Sequence, residues 1–340
     1  MAEKMKEEQY AEWDAFVDEA KGGTVFHRSW HLRALARQVE IHVLRGPDGK
    51  IEAGMALTPM RFLGTRAARR PVWTAYNGPL IRPSRKGSPA DRASDEKNLM
   101  LRLLAESPAL GMYDYILPPE YADVMPFLWN GFDILVGYTY QIPPAPPDEW
   151  RAAMSSGHRR DLRKAGEVLA SINGTIETVD DFTTSYSLIG DTAESKQFEV
   201  RAGLQTLTGW WEAIRVHAAG TLYVVRQGDG RVVCTTVLVW DGRCAYYLAS
   251  GIRADARRGS LNLLSRLLID RMIRDTHERG LAFDFEGSVL PGVERFFRGW
   301  GGRCVPKYRA VKIRTSWSFA AWSLHRWWTG HHKTTWFRDE

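Results

Sequence analysis

No run of about 18 apolar residues occurs anywhere in the 340-residue chain, which leaves no stretch fit to span a membrane as a helix. The first residues, Met1-Ala-Glu-Lys-Met-Lys-Glu-Glu, are charged where a secretory signal needs an apolar core, so a cytoplasmic location is expected. Cysteine is scarce. Cys234, Cys244 and Cys304 are odd in number and lack paired spacing, which argues against a disulfide framework or a zinc site and for reduced, partly buried thiols. His27, His31 and His42 lack carboxylate or cysteine partners at ligand spacing, so no metal is expected and the three read as hairpin and helix surface. Neither sign of charge dominates: 46 basic and 40 acidic residues leave +6, which favours anions in general, whether phosphate, nucleic acid or an anionic membrane.

What is present is globular: 44% hydrophobic and 25% charged over a length that suits two domains, each with its own core. The Pro143-Pro144-Ala145-Pro146-Pro147 run reads as a linker and places an N-terminal domain at 1–145 and a C-terminal one at 146–315. Within each half lies a hairpin signal. Gly46-Pro-Asp-Gly joins two apolar-rich runs and Gly228-Asp-Gly joins two more, and Ile41–Leu57 overlays Leu222–Leu238 without a gap at an offset of 181 residues. Val43/Val224, Arg45/Arg226, Asp48/Asp229, Gly49/Gly230 and Leu57/Leu238 are then identical, as are Trp30/Trp211 upstream, so a duplicated domain is expected.

The chemistry-bearing residues gather in the second copy. A strand over Cys244–Ser250 leads to Arg257-Arg258-Gly259-Ser260, and an apolar helix follows from Leu261 to Ile273. Ser260 is placed to cap that helix, whose free amides, beside Arg257 and Arg258, suit a pyrophosphate-like anion. The next strand, Leu281–Glu286, carries Asp284 and Glu286 two residues apart, which on a strand puts both carboxylates on one face, and a turn follows. Strand, loop, helix, strand is a crossover that gives neighbouring parallel strands, with ligands beyond their C-terminal ends. Arg295 and Arg298, flanking Phe296-Phe297, are candidate clamps for a carboxylate or phosphate. An expected helix over Trp150–Leu169 carries His158, Arg159, Arg160, Arg163 and Lys164.

Tyr246-Tyr247, the Arg/Gly/Ser loop, the apolar helix, Phe283-Asp-Phe-Glu-Gly-Ser and Gly292-Val-Glu-Arg-Phe-Phe-Arg-Gly-Trp-Gly together resemble the C-terminal half of the FemAB-like branch of the GNAT acyltransferases. The basic run Gly157–Ala165 is similar to the helix that opens the second domain there. The resemblance is best over about 150–313 and implies an α/β fold of two tandem GNAT-like domains, each a mixed sheet flanked by helices. It further implies acyl transfer to an amine, of a small molecule or of a cell-envelope or polysaccharide precursor, from an acyl-CoA or an aminoacyl-tRNA co-substrate, with no tightly bound cofactor.

On that reading Glu286 is the candidate base, Asp284 its partner or a ligand of the substrate ammonium, and Tyr247 or Tyr246 a proton donor or cleft wall. Arg257, Arg258, Gly259 and Ser260 hold the donor, and Arg159, Arg160 and Arg295 line the substrate path. Ala256-Arg-Arg-Gly259-Ser-Leu261 departs from the Arg/Gln-x-x-Gly-x-Gly/Ala loop common in acyl-CoA enzymes of the family, which keeps tRNA open as the donor's carrier. The segment 316–340 holds Trp317, Trp322, Trp327, Trp328 and Trp336 among basic residues. It is expected to be helical and to dock on its own protein or a second subunit, while its tryptophans beside basic residues also suit peripheral membrane contact or stacking on nucleic acid. The alternative reading is a non-catalytic double-GNAT scaffold that binds RNA or an anionic membrane.

Overall fold

A computed structural model describes residues 2–62, 64–195, 202–287 and 290–314. The Trp-rich segment 316–340 lies outside them. In chain order the regular elements are β1 (Glu3–Lys4), α1 (Tyr10–Glu19), α2 (Ser29–Leu35), β2 (Glu40–Arg45), β3 (Ile51–Leu57), β4 (Pro59–Phe62), β5 (Thr65–Ala68), β6 (Leu80–Ile81), α3 (Pro89–Ala105), β7 (Met112–Leu117), α4 (Met125–Trp129) and β8 (Asp133–Ile142). There follow α5 (Pro147–Ala153), α6 (Ser156–Ser171), β9 (Thr175–Val179), α7 (Thr183–Ser195), α8 (Leu204–Val216), β10 (Gly220–Arg226), β11 (Val232–Trp240), β12 (Cys244–Ile252), α9 (Leu264–Glu278), β13 (Ala282–Asp284), α10 (Pro291–Arg298) and β14 (Arg303–Ile313).

The two Asp-Gly turns close hairpins that match bond for bond. β2 pairs with β3 from Glu40↔Leu57 to Arg45↔Ile51, with an irregularity between Leu44 and Arg45. β10 pairs with β11 from Thr221↔Leu238 to Arg226↔Val232, with an irregularity between Val225 and Arg226. Every one of these residues is displaced by the same 181 positions. At each turn the glycine has a positive φ, 77° at Gly49 and 86° at Gly230, which is why the sequence carries Gly there. Arg45 and Arg226 each donate to the carbonyl of that glycine at 2.8 Å and to a glutamate on the outer strand, Glu3 of β1 and Glu177 of β9. The duplication is thus preserved in register, turn and side-chain bracing.

Compactness divides the chain into one unit of residues 1–138 with 306–340 and a second of residues 139–305. The Pro143–Pro147 run lies inside the second unit, where it joins β8 to α5. This differs from a boundary at 145/146 because strands, whose partners are remote in sequence, decide where the chain is densest. In the first unit β1-β2-β3-β6 form one sheet and β4-β5-β7-β14 form a second group, with β5 and β7 parallel and β7 and β14 antiparallel. In the second unit the order is β8-β13-β12-β11-β10-β9; β12 and β13 are parallel and the other pairs antiparallel. β8 follows the first copy's helix α4 yet pairs with β13, and β14 follows the second copy's α10 yet pairs with β7. Each copy's last strand therefore completes the other unit.

The second unit's core is Trp150, Leu264, Leu268, Ile269, Met272 and Ile273 from the helices, packed on Val225, Val233, Leu238, Ala245, Phe283 and Phe285 from the sheet. Full burial of side chains this size contributes about 1.5–3 kcal/mol each. Gly251 lets α7 approach β12: a Cβ there would meet the Leu188 backbone at 2.4 Å. The Trp150–Leu169 helix expected from sequence is two helices, because Ser155 caps α6 by accepting the His158 N–H, at 3.2 Å, and ends the run through α5.

The first unit places the histidines differently from expectation. His27, His31 and His42 are buried, not surface, because each ring has polar neighbours inside: His27 bonds Thr24 and the Gly78 carbonyl, His31 lies 3.1 Å from Thr74 Oγ1, and His42 faces Glu40 at 3.7 Å. Asp114 on β7 is also buried and accepts both nitrogens of Arg309 from β14 at 2.7 Å. Burial would raise its pKa, but the Arg309 guanidinium and then Arg69 hold the carboxyl below its ordinary value.

Two outcomes follow for this unit. Asp114→Ala leaves Arg309 buried without its counter-charge and should cost about 3–5 kcal/mol in urea unfolding, whereas a loss under 1 kcal/mol would remove the pair from the unit's foundations. Burial, with His27 adding to it, pushes His31 down to about 3. The unfolded chain then takes the proton first, so the stability from this site is full above pH 6.5 and declines as pH falls toward 3, by about 1.4 kcal/mol per pH unit. Urea midpoints at pH 7 and pH 5 should therefore lie closer together in His31→Gln than in the unaltered protein.

Candidate active site

β12 and β13 run side by side for three residue pairs, Cys244↔Ala282, Ala245↔Phe283 and Tyr246↔Asp284. Past Tyr246 they part: β12 continues to Ile252 while β13 stops at Asp284. The expected strand through Glu286 is cut short because Glu286 takes a left-handed conformation, φ 57°, and Gly287 another, φ 78°. Asp284 and Glu286 are accordingly not two residues of one strand face. Phe285 between them is buried, stacked on Phe297 at 4.7 Å and edge-on to Phe283 at 4.9 Å, so the turn pivots on an anchored ring. β12 bulges at the same level: Leu238 faces Tyr247 and Val237 faces Ala249, which takes Leu248 out of the ladder with β11.

Asp284 is 0% exposed. Its carboxylate accepts the Thr139 hydroxyl, the Gln141 amide at 2.9 Å and the Glu286 backbone N–H at 2.7 Å. Glu286 is half-buried, two residues past the end of β13. Tyr246 points to the β11–β12 turn and donates to Asp241 at 2.9 Å. Tyr247 lies against Phe285 and Phe297, and burial pushes its phenol up to about 12.

The loop after β12 carries Arg257–Ser260, where an anion site is expected from the sequence. Arg257 donates to the Ile252 carbonyl at 3.2 Å and keeps its Nη2 buried without a hydrogen-bond partner among the described residues, while Arg258, Gly259 and Ser260 are exposed. Ser260 does not cap the α-helix. It opens a 3-10 turn, Ser260–Leu263, that makes no side-chain cap, and α9 begins at Leu264; Gly259, with φ 82°, makes the reversal ahead of it. A strand rises about 3.3 Å per residue, so the five steps from Tyr247 to Ile252 put the loop roughly 16 Å from the parting.

Of the residues expected along the substrate path, Arg159 is engaged with carbonyls closing α5: Ala152 at 3.1 Å, Arg151 at 3.4 Å and Met154. Arg160 is exposed beside Asp161 at 4.0 Å, and Arg295 is exposed on α10. The structure thus places Tyr247, Asp284 and Glu286 near the end of the β12–β13 pairing, turns the Tyr246 hydroxyl away to Asp241, and sets Arg257–Ser260 at the far end of β12. Thr139 and Gln141, which hold Asp284, were not legible; they carry no local signal, since their partner is over 140 residues away. Also missed were the Tyr140–Glu294 bond, at 2.6 Å, and the seat of His158 between Phe296, at 5.4 Å, and Trp300, at 5.5 Å. Burial, then the Arg266 charge, lowers the His158 pKa. Among the described residues no group of three or more metal-ligating side chains gathers, and no helix is long and apolar enough to cross a membrane.

Residues 153–298 match the sequence pattern of the Acetyltransferase (GNAT) domain, so most of the second unit carries that domain. No curated protein matches the chain. In fold it is similar to FemX, at 15% identity and TM-score 0.66, over 95% of this chain and 99% of that one. It is similar also to the C-terminal domain of a putative lysylphosphatidylglycerol synthetase from Agrobacterium fabrum, at 13% identity and TM-score 0.55, over 94% and 96%. A tandem GNAT protein from the clavulanic acid biosynthesis pathway matches at 10% identity and TM-score 0.51, over 92% and 98%. The fold is that of tandem GNAT proteins, as the resemblance implied and in keeping with the duplication.

The α10 end of the site depends on a missing side chain. A Cβ on Gly299 would lie 2.1 Å from the His158 ring. Gly299→Ala should therefore displace His158 and cost about 1–3 kcal/mol by thermal unfolding, and Gly292→Ala, where a Cβ meets nothing within 4 Å, should cost clearly less.

Proposed function

We infer that this chain, whose second unit carries a GNAT acetyltransferase domain, transfers an acyl group from an activated donor to an amine at the parting of β12 and β13. The observation that carries the reading is Glu286 two residues past the end of β13, inside the residues that match the domain. The amine nitrogen attacks the donor carbonyl, the carbon–sulfur or carbon–oxygen bond to the carrier breaks, and the amine's proton passes to the Glu286 carboxylate. Backbone N–H groups freed by the bulge at Leu248 suit the oxyanion that forms on the way. Tyr247, pushed up to about 12, keeps its proton at neutral pH and so suits the departing thiolate or alkoxide as a donor, not the amine as a base.

The distance to the Arg257–Ser260 loop, roughly one extended pantetheine arm along β12, favours a donor with an anionic carrier, an acyl-CoA or the 3′ end of an aminoacyl-tRNA. In that loop Arg257 is aimed inward and Arg258 outward. The acceptor class we favour is an amine of a small molecule or of a cell-envelope or polysaccharide precursor, which accords with the folds of FemX and of the putative lysylphosphatidylglycerol synthetase domain. A second reading, a scaffold for RNA or an anionic membrane, is supported by the exposed Arg160, Arg163 and Lys164 on α6.

Purified protein should transfer from acetyl-CoA or from a panel of aminoacyl-tRNAs to at least one of a set of amino sugars and diamines. Glu286→Gln should lower kcat by about 10²–10⁴-fold. If Glu286→Gln matched the unaltered protein, Glu286 would not be the base; if no donor reacted while RNA binding fell on changing Arg160, Arg163 and Lys164 to Ala, the scaffold reading would replace the enzyme.

A further inference from the structure

We propose that Asp284 is a positioning residue: its buried carboxylate clasps the left-handed turn that presents Glu286, and it never meets the substrate. The inference rests on the reading of Glu286 as the base, and it moves Asp284 from the reacting groups to the framework beneath them.

Three observations converge on it. First, Asp284 is sealed, and an O–H and two N–H groups, from Thr139, Gln141 and the Glu286 backbone, donate to its carboxylate oxygens. Second, one of these donors is the backbone of the residue to be presented. A glutamate at φ 57° is disfavoured where glycine would be at ease, so the turn persists only if its surroundings enforce it; the Asp284 bond and the buried Phe285 ring do so.

Third, the two copies of the fold use the same position differently. Tyr113-Asp114-Tyr115 on β7 corresponds to Phe283-Asp284 at the end of β13 and Phe285 just past it: β7 and β13 are each the parallel partner in their sheet, and each is bordered by the returning strand of the other copy. In the first copy Arg309 grips the aspartate from both oxygens and β7 runs on through Ile116 to Leu117. In the second copy neutral donors from β8 hold the aspartate, and one of its oxygens reaches forward to bend the chain. The bend is what opens β13 away from β12.

A double-mutant cycle tests the clasp without needing a substrate. Glu286→Gly should raise the melting temperature by about 1–4 °C, since glycine takes the left-handed turn freely. In Asp284→Asn, where an amide must face one of three donors, residue 286 can leave that conformation and the gain should vanish. An equal gain in both backgrounds overturns the proposal. If Asp284→Asn fails to fold, Thr139→Val, which removes one donor with little change of shape, replaces it in the cycle and should shrink the gain.

An activity arm uses acetyl-CoA and the responsive amine. Asp284→Asn should lower kcat at least tenfold with the KM for acetyl-CoA within twofold, and adding it to Glu286→Gln should lower kcat no further, because the two act as one device. A further loss in the double variant would give Asp284 chemistry of its own and end the proposal. If Glu286→Gln retained full activity but the thermal coupling appeared, Glu286 would not be the base while the clasp stood.

Discussion

A carboxylate taken out of water must be met by donors, and in this fold the donors for both central aspartates arrive from far along the chain. Asp284 is met by Thr139 and Gln141, and Asp114 by Arg309. Satisfying either one requires a strand that belongs, by sequence, to the other copy. The exchange of β8 and β14 is therefore more than a topological detail, since without it Asp114 would keep Arg69 but lose Arg309, and Asp284 would keep the Glu286 N–H but lose Thr139 and Gln141. It also explains why the compact units do not coincide with the halves of the chain.

The exchange sets the site's location. β13 is short because the chain turns at Glu286, and it can turn there because Asp284, fixed from the β8 side, holds the Glu286 N–H. β12, braced on its other edge by β11, continues without its neighbour. The end of their pairing is an outcome of unequal strand lengths; Glu286 follows two residues past it, Tyr247 keeps its aromatic seat, and the arginine loop lies beyond Ile252.

What could be read from sequence was local or repeated. The hairpins were legible because Asp-Gly turns impose a backbone geometry that few other residues allow, and the 181-residue offset holds through every hydrogen-bonded pair from Glu40 to Ile51 and Leu57 and their counterparts. The Phe283-Asp-Phe-Glu stretch was legible as a carboxylate-bearing strand, but the alternation rule fails one residue past Phe285, where a side-chain bond overrides the pleat. Ser260 illustrates a second limit, since a serine after a glycine is a good cap only if the α-helix starts at once, and here a 3-10 turn intervenes. The histidines show a third. His31 sits in a polar pattern that suggests surface, and only the approach of Thr74, 43 residues on, makes its burial tolerable.

The crossing strands also bear on how the chain acquires its shape as it is made. Domains of a growing polypeptide usually close in the order in which they leave the ribosome. Here the first unit lacks β14 until residues 303–313 have emerged, after the whole of the second unit, so Arg309 reaches Asp114 only then. Until that moment β7 lacks its β14 partner and Asp114 lacks Arg309, whereas Thr139 and Gln141, which Asp284 needs, have emerged long before Asp284 itself.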